Sequence, residues 1–136
     1  MLKQELSLPD EVPESPPPSF EAIDLPPSRL DDPVLTSLHH LLGERNVRTD
    51  KRTRIEHCCG KSYQDLIRLR AGEISQPPDA VVYPADEGQV AAVLSWAASR
   101  EIGVVPFGSG SDLSGGLEPR EDDRPTITLD LARLNR

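Results

Sequence analysis

The sequence lacks an excess of positive charge. Its 136 residues include 15 Lys and Arg against 23 Asp and Glu, which gives a formal net charge of -8. A field of that sign repels the phosphates of nucleic acids and the anionic surfaces of membranes. We therefore expect neither nucleic acid nor a membrane surface as a partner, and the length corresponds to about one domain.

Long apolar runs are missing as well. No stretch of the chain approaches the ~18 consecutive apolar residues that a membrane-spanning helix needs. The N-terminal segment MLKQELSLPDEVPESPPPS has no apolar centre of the kind found in secretory signals. These two observations predict a soluble, cytoplasmic protein without a transmembrane segment.

Residues that commonly bind metals are scarce. The two cysteines of the chain, Cys58 and Cys59, are adjacent. Neighbouring cysteines match neither zinc-site spacing nor a C-x-x-C redox motif, so we interpret them as small, partly buried thiols. His39 and His40 are also adjacent, and with no third ligand in the pattern we predict that they are surface residues. The sequence therefore predicts no metal site.

Proline, in contrast, is abundant near the N-terminus. Residues 1–30 include PDEVPESPPPSFEAIDLPPS, which is rich in proline and acid and poor in large apolar side chains. Such a composition buries too little surface to offset the entropy lost on ordering. We predict a disordered, Pro-rich acidic arm over residues 1–30. Docking of its PESPPPS segment on an aromatic groove of another protein is an alternative role.

Residues 31–75 form a predicted helical lead-in, and its first helix covers about 33–42. Asp32 is the expected N-cap, Pro33 suits the first helical position, and Gly43 suits the end. The apolar stripe that should face the core consists of Val34, Leu35, Leu38, Leu41 and Leu42.

A second helix of the lead-in is predicted after Ser62. Ser62 and Asp65 have the spacing of a capping box, and Gly72 suits the end of the helix. The preceding GKS sequence invites comparison with a phosphate-binding P-loop. That motif needs a glycine five residues before Gly60, where Ile55 stands, so we reject a P-loop here.

Residues 76–136 have the pattern of an α/β domain. DAVVYP and IGVVPF are predicted strands, and between them Asp86 caps a predicted helix. A strand, a helix and a strand in this order form a βαβ unit with parallel strands and a right-handed crossover. TITLDL, residues 126–131, is a third predicted strand. The apolar helix face consists of Val90, Val93, Leu94 and Ala97.

The stretch VVPFGSGSDLSGGLEP lies at the carboxyl end of the second strand, where such units bind ligands. We call its residues 108–116 the glycine loop. Glycines let the backbone adopt positive φ and let a ligand approach closely, and successive N–H groups can converge on an anion. The dinucleotide fingerprint G-x-G-x-x-G fails because Leu113 replaces the third glycine. The pattern predicts a phosphate or pyrophosphate site of another kind, and an ordinary flexible loop is an equal alternative.

A family resemblance favours the pyrophosphate site. PDAVVYPADEGQVAAVLSWAASREIGVVPFGSGSDLSGG resembles the start of the FAD-binding domain of the vanillyl-alcohol oxidase and p-cresol methylhydroxylase family. That family opens with a PD-x-V-x-x-P strand and wraps the FAD pyrophosphate in a P-x-GGGTS loop. RIEHCCGKSYQDLIRLRAG resembles a motif of the family's synthase branch, and TITLDLARLNR resembles the next strand. The similarity covers about residues 26–136.

The resemblance implies an α/β (α+β) fold: the N-terminal βαβ part of a p-cresol methylhydroxylase-type FAD-binding domain, with FAD as cofactor. Ser109 replaces a family glycine, which a negative φ would tolerate. Asp112 replaces a family serine and would bring a carboxylate near the pyrophosphate. His57 matches a family histidine, for which we favour a structural role, and no catalytic residue is assigned. The implied cofactor-binding residues are Pro106, Phe107, Gly108, Ser109, Gly110, Ser111 and Asp112.

The resemblance also implies what the protein does. In the family, further FAD contacts and a substrate-binding domain follow this region, so we expect this chain to be the N-terminal portion of a larger flavoenzyme and inactive alone. The synthase branch exchanges an acyl group on a phosphorylated ketone for a fatty alcohol, without net redox chemistry. Alternatives are a 2-hydroxy-acid dehydrogenase or oxidase, and a flavin-free interaction module that kept the fold. The substrate would be a small molecule or lipid-like, and a homodimer stays open.

Overall fold

The computed structural model describes residues 16–74, 76–119 and 124–134. The helices are α1 (Asp32–Leu42), α2 (Lys51–Glu56), α3 (Tyr63–Ala71) and α4 (Glu87–Ala98). The strands are β1 (Val47–Arg48), β2 (Ala80–Val82), β3 (Gly103–Phe107) and β4 (Thr126–Asp130). Short 3-10 turns cover Glu44–Asn46 and Ala132–Leu134. Within the described ranges, no helix has the length and apolar character needed to cross a membrane.

The four strands form one sheet in the order β1-β2-β4-β3. β4 pairs in parallel with both β2 and β3, and β1 pairs antiparallel with β2. The strands of the predicted βαβ unit are therefore parallel, as expected, but the third predicted strand lies between them. This insertion makes β4 the central strand, and all five of its residues are buried.

One face of the sheet packs against α1 and α4. Alternate residues of β4, Ile127 and Leu129, point to this face. The core that forms there includes residues from both sides of the predicted boundary at 75/76, so the lead-in and the α/β segment share one hydrophobic core. Its buried members are Leu30, Leu38, Leu42, Val47, Ala80, Val82, Val93, Trp96, Ala97, Ile102, Ile127 and Leu129.

The opposite face of the sheet is covered by α2 and the residues that follow it. Buried Arg54 donates from Nε to the Pro78 carbonyl oxygen at 2.6 Å, and buried His57 contacts Asp130. Neither α2 nor β1 was expected from the sequence. Both are short, and α2 begins at an N-cap, Asp50, whose side chain accepts the Thr53 N–H.

The capping residues explain where the predicted helices begin and end. For α1 the predicted N-cap was wrong by one residue: the carboxylate of Asp31, not Asp32, accepts the Val34 N–H at 2.9 Å. α1 ends at Gly43, which has a φ of 83°. The capping box predicted for α3 is present at Ser62, together with its left-handed glycine C-cap. Asp86 caps α4 as predicted.

The last residues of the predicted arm are fixed to the sheet. The Arg29 side chain donates to both carboxylate oxygens of Asp79, and Leu30 is buried in the core. A disordered arm that extends to residue 30 is therefore wrong at its C-terminal end, because ion pairing and apolar burial hold these two residues. Residues 1–15 of that predicted arm lie outside the described residues.

The predicted apolar face of α4 needs one correction. Val93 is fully buried and Ala97 nearly so, but Leu94 is 46% exposed, and the indole of Trp96 is buried in its place. The Trp96 Nε1–H donates to the Ser37 hydroxyl of α1 at 2.9 Å, which joins the two helices across the core.

Two neighbouring residues of α4 provide a test of this packing. Val93→Asp would bury a carboxylate without a partner, so we expect a loss of about 3 kcal/mol or more in the free energy of unfolding. Leu94→Asp is the matched control, since its side chain already reaches solvent and should change stability little. Thermal or urea denaturation of the two variants measures the difference. Equal stabilities would contradict the orientation of α4.

Candidate functional site

The carboxyl ends of the three parallel strands meet at one edge of the sheet. Tyr83 follows β2 there, Phe107 ends β3, and Asp130 ends β4. The glycine loop leaves β3 at this edge. The residues that the sequence singled out for binding, 106–112, are therefore one continuous segment at the position where α/β units bind ligands.

His57 is buried below the glycine loop. Its Nδ1 lies 2.8 Å from the Thr53 carbonyl oxygen, and its Nε2 lies 3.0 Å from Asp130 Oδ2. Each ring nitrogen thus lies within hydrogen-bond distance of an oxygen atom. The imidazole ring also packs against Phe107, with 4.4 Å between ring centroids. Both nitrogens of His57 are thus engaged within the fold.

The Phe107 ring lies against Gly110 and restricts which residue fits at that position of the glycine loop. Gly110 has a φ of 66°, and a Cβ added there would lie 2.7 Å from Phe107 Cζ. Glycine is therefore needed at this position both for its conformation and for the space that the ring occupies. Ser109 does not have a positive φ, so its replacement of a family glycine is tolerated by the backbone. Its hydroxyl lies 2.8 Å from that of Ser111.

The Asp112 carboxylate accepts hydrogen bonds from residues in the second half of the glycine loop. It accepts the backbone N–H of Ser114 at 3.2 Å and that of Gly116 at 2.8 Å, and the Ser114 hydroxyl at 2.7 Å. The Ser114 hydroxyl and the Gly116 N–H hold the pKa of this carboxyl below its usual value. The charge that the sequence analysis identified as a possible repulsion is therefore bonded within the turn.

A second segment, Gly60 and Lys61, contacts the backbone of the glycine loop. The Lys61 N–H donates to the Asp112 carbonyl oxygen at 2.7 Å, and a Cβ added at Gly60 would lie 2.2 Å from that same oxygen. The contact of Gly60 and Lys61 with the glycine loop was not expected from the sequence. No local pattern signals it, because the two segments are some fifty residues apart in the chain.

The first half of the loop has free donors. Among the residues that the structure describes, none accepts a hydrogen bond from the backbone N–H groups of residues 108–111. A Cβ added at Gly108 would meet no atom within 4 Å, so the space beside this backbone is open. Unpaired N–H groups next to open space form a cradle that fits an anionic group such as a phosphate. Within the described part of the chain, no cluster of side chains suits a metal ion.

Comparisons with known proteins show which proteins this chain is similar to. The model of a family described as "FAD binding domain" matches residues 78–136. The alkyldihydroxyacetonephosphate synthase of Trypanosoma brucei brucei is 37% identical over 114 residues, which cover 82% of this chain. A solved alkyldihydroxyacetonephosphate synthase superposes with a TM-score of 0.86 at 31% identity over 90% of this chain. A p-cresol methylhydroxylase superposes with a TM-score of 0.52 at 16% identity over 81% of this chain, which supports the fold alone.

The chain spans a small part of these proteins. It covers 19% of the trypanosomal synthase, 24% of the solved synthase and 21% of the solved methylhydroxylase. The predicted fold, the family and FAD as cofactor are confirmed by the comparisons. The seven cofactor-binding residues stay a prediction.

The contact between Gly60 and Asp112 can be tested directly. Gly60→Ala adds a Cβ where the Asp112 carbonyl oxygen lies, so the glycine loop must move, and we expect a loss of about 1–3 kcal/mol in stability. Faster exchange of the Lys61 amide hydrogen should accompany it. Gly108→Ala is the control, because its Cβ meets no atom and its φ is not positive. Unchanged Lys61 protection in Gly60→Ala would contradict the contact.

Proposed function

Because residues 78–136 belong to the FAD-binding domain family, in a fold of the p-cresol methylhydroxylase type, we propose that the glycine loop binds the pyrophosphate of FAD. The supporting observation is that no group in the described part of the chain accepts from the N–H groups of residues 108–111, and that the space beside Gly108 is open. The residues proposed to contact FAD are Pro106, Phe107, Gly108, Ser109, Gly110, Ser111 and Asp112.

These residues would contribute in different ways. The N–H groups of residues 108–111 would donate to the phosphate oxygens, and the hydroxyls of Ser109 and Ser111 could add further donors. Phe107 packs against Gly110 and so supports the backbone of the cradle. The isoalloxazine of bound FAD supplies the redox or covalent chemistry, and the protein supplies position and electrostatics.

We assign Asp112 a structural role, which is to fix the backbone of residues 112–116. Its carboxylate is bonded to Ser114 and Gly116, so the second half of the loop is ordered without a ligand. Those donors balance part of the negative charge that would otherwise oppose a pyrophosphate. Asp112 would therefore support the cradle through its geometry, and it would oppose FAD less than an unpaired carboxylate would.

For the whole protein we propose an FAD-dependent enzyme of the alkyldihydroxyacetonephosphate synthase type. Support comes from identities of 31–37% to proteins with that name, against 16% to p-cresol methylhydroxylase. The substrates would then be an acylated dihydroxyacetone phosphate and a fatty alcohol. This chain would supply cofactor binding and would be inactive alone.

The cradle can be tested with Gly108. Gly108→Val should fold normally, because a Cβ there meets no atom, but its methyl groups would occupy the space proposed for the phosphates. We expect full-length protein to retain FAD at least about tenfold more weakly, or ~1.4 kcal/mol. Titration of apoprotein with FAD, followed by flavin fluorescence, measures this, and the melting temperature of the apoprotein is the folding control.

Gly110→Val does not separate FAD binding from folding, because its side chain would collide with the Phe107 ring. Gly108→Ala provides an intermediate size and should weaken binding less than Gly108→Val. If both Gly108 variants bind FAD as tightly as the parent protein, the loop does not hold the pyrophosphate and the proposal is wrong.

The reaction type can be tested on full-length protein with bound flavin. A synthase should incorporate a labelled fatty alcohol into acylated dihydroxyacetone phosphate, release the fatty acid and consume no electron acceptor. A dehydrogenase or oxidase should instead lose its visible flavin absorbance when a 2-hydroxy acid is added without an acceptor. Flavin bleaching without alcohol incorporation would contradict the synthase proposal while leaving FAD binding intact.

A further inference from the structure

The adjacent cysteines form a compact pair of thiols just after α2. Cys58 and Cys59 are both free, and their Sγ atoms lie 3.5 Å apart. Cys58 is buried and Cys59 is half-buried. The pair is separate from the proposed pyrophosphate cradle, and nothing in that function uses it. Their spacing matches no familiar motif and predicted only small, partly buried thiols.

Cys58 and Cys59 line a small cavity. Its volume is about 20 Å³, and Arg68 and Glu118 are among the other residues that line it. A cavity that holds a single water-sized molecule needs roughly 10–15 Å³. The space beside the two cysteines therefore admits a small hydrophilic molecule such as hydrogen peroxide.

The two thiols differ in exposure, since Cys58 is buried whereas Cys59 is half-buried and more accessible to a small oxidant. The Cys58 S–H donates to the Cys59 sulfur, and this hydrogen bond lowers the pKa of the Cys59 thiol, with a smaller contribution from the positive charge of Arg68. The same contact, together with burial, raises the pKa of Cys58. Since the thiolate is the reactive form of cysteine, the greater exposure of Cys59 and its lowered pKa together favour Cys59 as the nucleophile of the pair.

We propose that Cys58 and Cys59 form a peroxide-reactive vicinal dithiol that closes reversibly to a disulfide. The Cys59 thiolate attacks one oxygen of hydrogen peroxide, an S–O bond forms, the O–O bond breaks, and hydroxide leaves. The resulting sulfenic acid is attacked by the Cys58 sulfur, so that the S–S bond forms and the S–O bond breaks. Overall, two thiols are oxidised by two electrons, and one hydrogen peroxide is reduced to two waters.

The short distance between the sulfur atoms permits closure to a disulfide, and the strain of the resulting ring favours its later reduction. The sulfur atoms need to move from 3.5 Å to about 2.0 Å, which side-chain rotation and a small backbone adjustment can provide. Adjacent α-carbons are about 3.8 Å apart, shorter than the usual 4.4–6.8 Å across a disulfide. The eight-membered ring is therefore strained, and strained disulfides are the readily reduced ones. This closure is thus a reversible modification.

Mass spectrometry of one tryptic peptide tests the proposal. Trypsin cuts after Arg54 and Lys61, so the peptide of residues 55–61, IEHCCGK, carries both cysteines. Reduced full-length protein is treated with stoichiometric hydrogen peroxide, alkylated and digested. We expect this peptide to be two hydrogens lighter and free of alkylation, and dithiothreitol should restore two alkylatable thiols.

Two serine variants identify the nucleophile. In Cys58→Ser the sulfenic acid on Cys59 has no thiol to resolve it and should accumulate as a dimedone adduct. In Cys59→Ser the remaining Cys58 should give little adduct. Urea-unfolded wild-type protein is the control for the folded environment and should form the ring more slowly.

Three results would overturn the proposal: a wild-type peptide alkylated on both sulfurs after peroxide, equal dimedone labelling in the two variants, or equally fast closure in the unfolded chain. The wild-type mass does not depend on whether either variant folds. The readout also does not depend on FAD, so it is separate from the test of the glycine loop.

Discussion

The site depends on the insertion of β4 between β2 and β3. With both neighbours parallel to it, β4 ends at the same edge as they do, and its last residue, Asp130, lies beneath the glycine loop. From there a series of contacts runs through the fold. Asp130 bonds His57, His57 packs on Phe107, and the Phe107 ring fills the space next to Gly110. These contacts connect the end of the central strand with the backbone of the loop.

Local chemistry accounts for the parts of the fold that could be predicted. Ser62 and Asp65 form the capping box that their spacing predicts, and Gly72 ends α3 in the left-handed conformation. Errors arose where the choice was between equivalent neighbours, as with Asp31 and Asp32. The largest difference concerns strand order. Hydrophobic alternation predicts a strand at residues 126–131, but it carries no information about which strands lie beside it, because pairing is decided by contacts far apart in the chain.

The candidate site was located from sequence, but its internal geometry was not. Residues 106–112 were identified from glycine content, the preceding strand and a family resemblance, all of which are local. The role of Gly60 could not be inferred in this way, since its reason for being glycine is the Asp112 carbonyl oxygen. The geometry of the adjacent cysteines was likewise not predictable from the sequence. Their spacing carried no known motif, and their distance, their hydrogen bond and the cavity beside them became visible in three dimensions.

An acidic chain that binds a dianionic pyrophosphate needs a way to limit repulsion. The carboxylates of Asp112, within the glycine loop, and of Glu118, just after it, are both paired. Asp112 is bonded to N–H and O–H groups of its own turn, and Glu118 forms an ion pair with Arg68 at 2.7 Å. Their charges are thus partly balanced before any ligand arrives. The remaining attraction comes from oriented backbone dipoles of residues 108–111, which need no cationic side chain. A net charge of -8 is therefore compatible with the proposed anionic cofactor, because N–H dipoles act on groups directly beside them.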